Sequence, residues 1–205
     1  MTRIKICGNT SLEDALAALA AGADALGFIL WPKSKRFVPA ERVVEIVRAL
    51  PPLAYTVGVF VDQSAEEMMD VKRRAGLSAL QLHGDEDPAI LAALEGPVLK
   101  AFRQPPAPGL LARWRVAGFL ADGASQTEYG GAGKSAPDAL IAALKPTGRL
   151  VLAGGLTPDN VAARIQAVRP YAVDAVSGVE AAPGRKDHAA LRRFLDAVRA
   201  ADYGK

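Results

Sequence analysis

The stretch Ile4–Leu30, IKICGNTSLEDALAALAAGADALGFIL, contains a strand, a helix and a second strand in immediate succession. Ile4-Lys5-Ile6-Cys7 is a short β-leaning run that ends at a turn, Gly8-Asn9-Thr10. Ser11 then precedes Leu12-Glu13-Asp14, where its hydroxyl is placed to cap a helix, and Leu12, Ala15, Leu16 and Leu19 recur at helical spacing. Ala25–Leu30 is a continuous apolar run of the length expected for a strand buried on both faces. Such a unit builds a parallel sheet, because the helix carries the chain back to the edge where the next strand starts.

The same alternation continues to the end of the chain. Further strand-like runs are Tyr55–Val61, Ala79–Leu82, Val98–Phe102, Gly118–Ala121, Arg149–Ala153 and Ala172–Val176. Between them, helical spacing recurs in Val43-Ile46-Val47-Leu50, Ile90-Leu91-Leu94, Leu140-Ile141-Leu144, Val161-Ile165-Val168 and Leu191-Phe194-Leu195-Val198. Ser64 before Ala65-Glu66-Glu67 marks one helix start, and Thr157-Pro158-Asp159 predicts another, with proline at the first helical position. Eight strands allow about 26 residues per unit, close to the minimum for a strand, a helix and two connections. An open doubly wound sheet usually has fewer strands and a glycine-rich turn after the first one, whereas here that turn reads Cys7-Gly8-Asn9-Thr10. The expectation is therefore an α/β fold, a single compact (β/α)8 TIM barrel spanning residues 1–205. Its fifth helix is predicted to be weak, because Gln104–Gly109 is rich in proline and Leu110–Trp114 holds little more than one turn.

Composition narrows the function. The chain has 205 residues, half of them hydrophobic, with 25 Lys+Arg against 22 Asp+Glu for a net charge of +3. That excess is too small and too scattered for a nucleic-acid surface, and it favours small anionic ligands only mildly. No apolar stretch approaches the roughly 20 residues needed to cross a bilayer. The start runs directly into a strand with no signal-peptide pattern, so the expectation is a cytoplasmic protein. One cysteine excludes an intramolecular disulfide and a cysteine-rich zinc site.

In a (β/α)8 barrel the reacting groups stand at the carboxyl ends of the strands. That rule selects Cys7, the Trp31–Arg36 loop, Asp62, His83 with Asp85, Arg103, Asp122, Gly154-Gly155 and Ser177-Gly178. Cys7 is either an inert core thiol or, given local positive charge, a base. Asp122 either caps a turn or, once burial raises its pKa, serves as a general acid. Arg36 is either part of a solvated basic loop or a bidentate partner for a carboxylate. His83 stands at a polar strand end, and the two histidines lack metal-ligand spacing, so no metal is implied. Gly130-Gly131-Ala132-Gly133-Lys134, Gly154-Gly155 and Ser177-Gly178 follow strands six, seven and eight, where barrels commonly bind phosphate with the help of a short extra helix after strand eight.

These segments resemble one family. KICGNTSLEDALAALAAGADALGFIL at 5–30, SKRFV at 34–38, VGVFVD at 57–62, LQLHGDE at 80–86, YGGAGK at 129–134, AGGLTPDNV at 153–161 and AVDAVSGVEAAPGRKD at 172–187 are similar to the phosphoribosylanthranilate isomerases of tryptophan biosynthesis. The resemblance implies an Amadori rearrangement of N-(5-phosphoribosyl)anthranilate to the ribulose 5-phosphate derivative, with no cofactor and no metal. By the family pattern Cys7 matches the general base and Asp122 the general acid. Arg36 matches the residue facing the anthranilate carboxylate, and Asp174 an aspartate near the ribose. His83 is added as a substrate-binding candidate, and Gly131, Gly133, Gly154, Gly155, Ser177 and Gly178 match the phosphate cradle. The implied partner is that small-molecule substrate, with neither nucleic acid nor membrane, in a monomer or homodimer. The alternatives are a catalytically silent phosphate-binding barrel and another sugar-phosphate isomerase or epimerase.

Overall fold

The barrel closes where β1 (Arg3–Ile6) meets β8 (Ala172–Ala175), with Arg3, Ile4, Lys5 and Ile6 opposite Ala172, Val173, Asp174 and Ala175 in parallel register. The structure, a computed structural model, describes residues 1–123 and 135–203. Between β1 and β8 lie β2 (Ala25–Ile29), β3 (Tyr55–Phe60), β4 (Ala79–Leu82), β5 (Val98–Phe102), β6 (Gly118–Ala121) and β7 (Leu150–Leu152), all parallel and in sequence order around a closed ring. Closure leaves no unpaired edge to this sheet. The helices α1 (Leu12–Ala21), α2 (Ala40–Ala49), α3 (Ala65–Ala75), α4 (Leu110–Arg113), α5 (Asp138–Leu144), α6 (Val161–Val168) and α7 (His188–Tyr203) alternate with the strands.

The period of two along each strand divides the apolar residues between two cores. Ile4, Ile6, Leu26, Phe28, Leu80 and Leu82 belong to the large core beneath the helices, joined by Leu191, Phe194, Leu195 and Val198 of α7. Residues of alternate position form a smaller cluster, including Ala101, Leu120, Val151, Ala153 and Ala172. On β1 the same alternation brings Lys5 against Asp174 of β8. Helix starts follow local chemistry: Ser11 accepts from Asp14 N at 3.1 Å, and Ser64 and Glu67 form a reciprocal capping box.

Four features differ from the sequence reading. Strands β1, β2, β3, β7 and β8 end one residue early, so Cys7 and Val176 lie just beyond β1 and β8, although Cys7 N still donates to Ala175 O at 2.9 Å. The fourth connection has a 3-10 helix, Pro88–Ala93, in place of an α-helix. Asp87 caps it, its Oδ1 accepting from Ala89 N at 2.8 Å. The seventh helix begins at Val161, because Thr157–Asn160 forms a turn: Asn160 Oδ1 accepts from Thr157 N at 2.9 Å, and Nδ2 donates to Gly155 O at 2.8 Å. Lastly, a hairpin of β9 (Glu180–Ala182) and β10 (Arg185–Lys186) follows the 3-10 turn Ser177–Val179. The fifth helix, α4, is the expected single turn of four residues.

Candidate active site

A cleft opens at the carboxyl ends of the strands. Its lining brings together Cys7, Arg36, His83, Asp122, Gly154, Gly155, Asp174 and Ser177, every one a residue singled out from the sequence. Gly178 stands behind that lining, its backbone so close to Leu156 O that a Cβ would overlap the carbonyl. Gly131 and Gly133 lie outside the described residues. Asp62, Asp85 and Arg103 do not line the cleft: Arg103 Nη2 pairs with Asp85 Oδ1 at 2.8 Å, and Asp62 Oδ1 accepts from Asp85 N at 2.6 Å.

Cys7 is buried, held from two sides. Lys186 Nζ donates to its carbonyl oxygen at 2.6 Å, and Gly27 of β2 packs against its thiol so closely that a Cβ there would stand 2.5 Å from Sγ. Gly8, at φ +72°, carries the chain away in a conformation that glycine adopts without penalty. Burial pushes the Cys7 thiol up from its ordinary range, and Asp174 adds to the rise. Lys5 opposes that rise by charge and by a hydrogen bond, and Lys186 opposes it by charge. Lys5 itself sits 2.8 Å from Asp174. Desolvation works to lower the Lys5 ammonium, but attraction to Asp174 and Cys7 outweighs it and the net direction is upward. Lys5 therefore stays charged beside the thiol.

Asp122 continues β6 by one residue, its N–H donating to Phe102 O at 3.0 Å. Its Oδ2 lies 3.1 Å from His83 Nε2, and Gln81 Nε2 lies 3.0 Å from His83 Nδ1. Gln81 and His83 share one face of the strand because they are two residues apart, so the amide fixes the ring that faces Asp122.

The loop after β2 delivers Arg36, which forms a carboxylate pair as its residue type suggested, but with the protein's own Glu180. Nε lies 2.9 Å from both Glu180 oxygens and Nη2 lies 2.7 Å from Oε2. Glu180 also meets Lys186 Nζ at 3.3 Å. On the opposite wall Gly154 and Gly155, at φ +84° and +60°, turn the backbone beside the cleft where other residues would be strained. Sequence reasoning missed Glu180, Lys186, Gln81 and Lys5 as parts of the site. The available signal was a charge or amide at the same strand parity as the selected residues: Lys5 with Cys7, Gln81 with His83.

A thiol, a carboxylate and an arginine line one cleft beside open backbone turns, at the end of the barrel where (β/α)8-barrel enzymes carry their chemistry. A model of the N-(5'-phosphoribosyl)anthranilate (PRA) isomerase family matches residues 4–197. The chain belongs to that family. It is 48% identical to the N-(5'-phosphoribosyl)anthranilate isomerase of Geobacter metallireducens over 98% of this chain and 100% of the relative. Among solved structures, it is similar to the phosphoribosyl anthranilate isomerase of Thermus thermophilus, with 42% identity, a TM-score of 0.87 and coverage of 97% and 99%. It is also similar to a phosphoribosyl anthranilate isomerase in complex with reduced 1-(o-carboxyphenylamino)-1-deoxyribulose 5-phosphate, at 37% identity, TM-score 0.80 and coverage of 98% and 100%. Among the described residues, no helix is long and apolar enough to cross a membrane.

Proposed function

We propose that this chain catalyses the Amadori rearrangement of N-(5'-phosphoribosyl)anthranilate in tryptophan biosynthesis, with Cys7 as general base and Asp122 as general acid. The observation that carries the reading is that Cys7 and Asp122 line one cleft from opposite parts of the barrel, β1 and β6. Asp122 protonates the furanose ring oxygen, the C1–O bond breaks, and the nitrogen lone pair forms a Schiff base. The Cys7 thiolate then takes the proton from C2, whose bonding electrons form the C1–C2 double bond while the C=N electrons return to nitrogen. The resulting enolamine loses its enol proton and gains one at C1, giving the ketone. Two oppositely tuned groups are needed because one step adds a proton and the other removes one. A buried thiol is poorly ionised but strongly basic once ionised, and Lys5 and Lys186 are the charges that permit ionisation.

Anchoring falls to both ends of the cleft. Arg36 faces the anthranilate carboxylate. Gly154, Gly155, Ser177 and Gly178, with Gly131 and Gly133 of the segment outside the described residues, receive the phosphate through backbone N–H groups. Asp174 and His83 flank the ribose between them. A reducing cytoplasm, where the thiol is protected from oxidation, is the location that fits this chemistry. The test is to follow loss of the fluorescent anthranilate adduct with purified protein in the presence of a chelator. Turnover supports the reading, and binding without turnover would replace it with a silent phosphate-binding barrel.

A further inference from the structure

An arginine guanidinium has two faces on which a carboxylate can make paired hydrogen bonds: the side face, Nε with one terminal nitrogen, and the end face, Nη1 with Nη2. Here Glu180 takes the side face completely, through Nε and Nη2, and no hydrogen bond falls on Nη1 among the described residues. Arg36 lines the cleft with its side chain 10% exposed, whereas that of Glu180 is 3% exposed. The end face is thus the one left for a ligand.

Glu180 does more than orient one side chain. It starts β9 and stands opposite Lys186 of β10 in the hairpin register. Lys186 Nζ, with no exposed side-chain surface, reaches Glu180 Oε1 at 3.3 Å and the Cys7 carbonyl at 2.6 Å. The Gly184 N–H, in the hairpin turn, donates to the same Oε1 at 3.2 Å. One carboxylate therefore joins the loop carrying the anchor, the hairpin and, through Lys186, the residue carrying the thiol.

We infer that Glu180 is a positioning and specificity-determining residue, which presents the end face of Arg36 to the anthranilate carboxylate at a fixed place relative to Cys7. This rests on the reading of Arg36 as the carboxylate anchor. Glu180 touches no substrate in this arrangement. It acts by reducing the ways Arg36 can point, so discrimination for a carboxylate-bearing substrate depends on it.

The experiment compares kcat/KM for N-phosphoribosylanthranilate and for the N-phosphoribosylaniline analogue, which lacks only the carboxylate, in the wild type, Glu180→Gln, Glu180→Asp and Arg36→Met. The preference for the carboxylate-bearing substrate is expected to fall about ten- to a hundredfold in Glu180→Gln, chiefly through KM, and part of the way in Glu180→Asp, whose shorter arm cannot span both cations. Should Glu180→Gln fail to fold in a thermal melt, Glu180→Asp carries the same ratio test. Equal losses on both substrates would mean that Glu180 only holds the fold, and an unchanged preference would mean that it does nothing for Arg36; either overturns the inference. Preference retained in Arg36→Met would remove the anchor itself, and this inference with it. Preference lost in Arg36→Met but kept in both Glu180 variants would overturn the role of Glu180 alone.

Discussion

Cys7 shows how one residue type acquires a task from its neighbours. Its thiol is buried, which alone would keep it protonated, and the largest counter-influence is Lys5, two positions earlier in the chain. If the two proton-transfer groups act as proposed, Cys7→Ala and Asp122→Asn each lower kcat by about a hundred- to ten-thousandfold while the circular dichroism spectrum stays that of the wild type. Near-normal turnover in either variant would remove that residue from the mechanism. The pH dependence follows from the direction of the thiol shift. A base works when deprotonated, and burial raises the Cys7 pKa, so kcat/KM should climb with pH beyond the ordinary thiol range of about 8.5. Replacing Lys5 by Met removes the largest influence that lowers this pKa. The limb then moves to still higher pH and the rate at pH 7 falls; a pH profile that does not move would show that Lys5 serves only the ion pair with Asp174. Cys7 and Asp122 were legible because a polar residue at the end of an apolar run stands out, whereas Asp174, inside β8, was marked only by the family resemblance. Lys5 was not legible, because Ile-Lys-Ile also reads as plain strand alternation, and its partner lies 169 residues away. Glu180 and Lys186 were hidden for the same reason, since nothing local shows that Arg36 will come to meet them.

At the scale of elements, the order and type of the eight units were readable because each strand is a short apolar run and several helices carry their own start signals. Ser11 and Ser64 bond where their caps were expected. The misreadings arose where loop geometry competed with periodicity. Ile90, Leu91 and Leu94 have helical spacing, yet the six residues that follow the Asp87 cap form a 3-10 helix. The Thr157-Pro158-Asp159 sequence has the composition of a helix start, but the Asn160 side chain closes a turn there first. The hairpin after β8 gives no strong pattern at all, because β9 and β10 hold three and two residues. A feature that only the assembled strands reveal is the spacing of β1 and β2. A Cβ on Gly27 would lie 2.5 Å from Cys7 Sγ, 3.0 Å from its Cβ and 3.1 Å from its Cα, so turning the thiol aside cannot relieve the contact. Gly27→Ala is therefore expected to displace the base, lowering kcat about a hundredfold, and to cost about 1–3 kcal/mol of stability through overpacking. Steady-state kinetics corrected for folded fraction, beside urea unfolding, test this; wild-type kcat would show that the position of Cys7 tolerates the shift.

Across the whole molecule the barrel separates what holds it together from what reacts. The buried ion pairs of Lys5 with Asp174 and Arg36 with Glu180 belong to the lumen and its mouth, where desolvation works against them and function gives them a reason to be there. Stability comes from the shell between strands and helices, and α7 contributes much of it: Leu191, Phe194, Leu195 and Val198 are all fully buried, and the helix packs on both α1 and α6. The closing seam between β1 and β8 lies between those same helices in the chain order of the ring, so loosening α7 weakens the place where the barrel must shut. Phe194→Ala should cost about 3–5 kcal/mol, because it removes a large side chain that its neighbours can only partly collapse around. Against a total stability of roughly 5–15 kcal/mol that loss is a large fraction, and it should appear as a lower urea midpoint in one cooperative transition. Since Phe194 does not line the cleft, kcat and KM of the molecules that remain folded should match the wild type at low temperature. If KM or kcat instead changed in proportion to the stability lost, the shell and the mouth would be mechanically coupled, and the division between a stabilising shell and a reactive lumen would not hold.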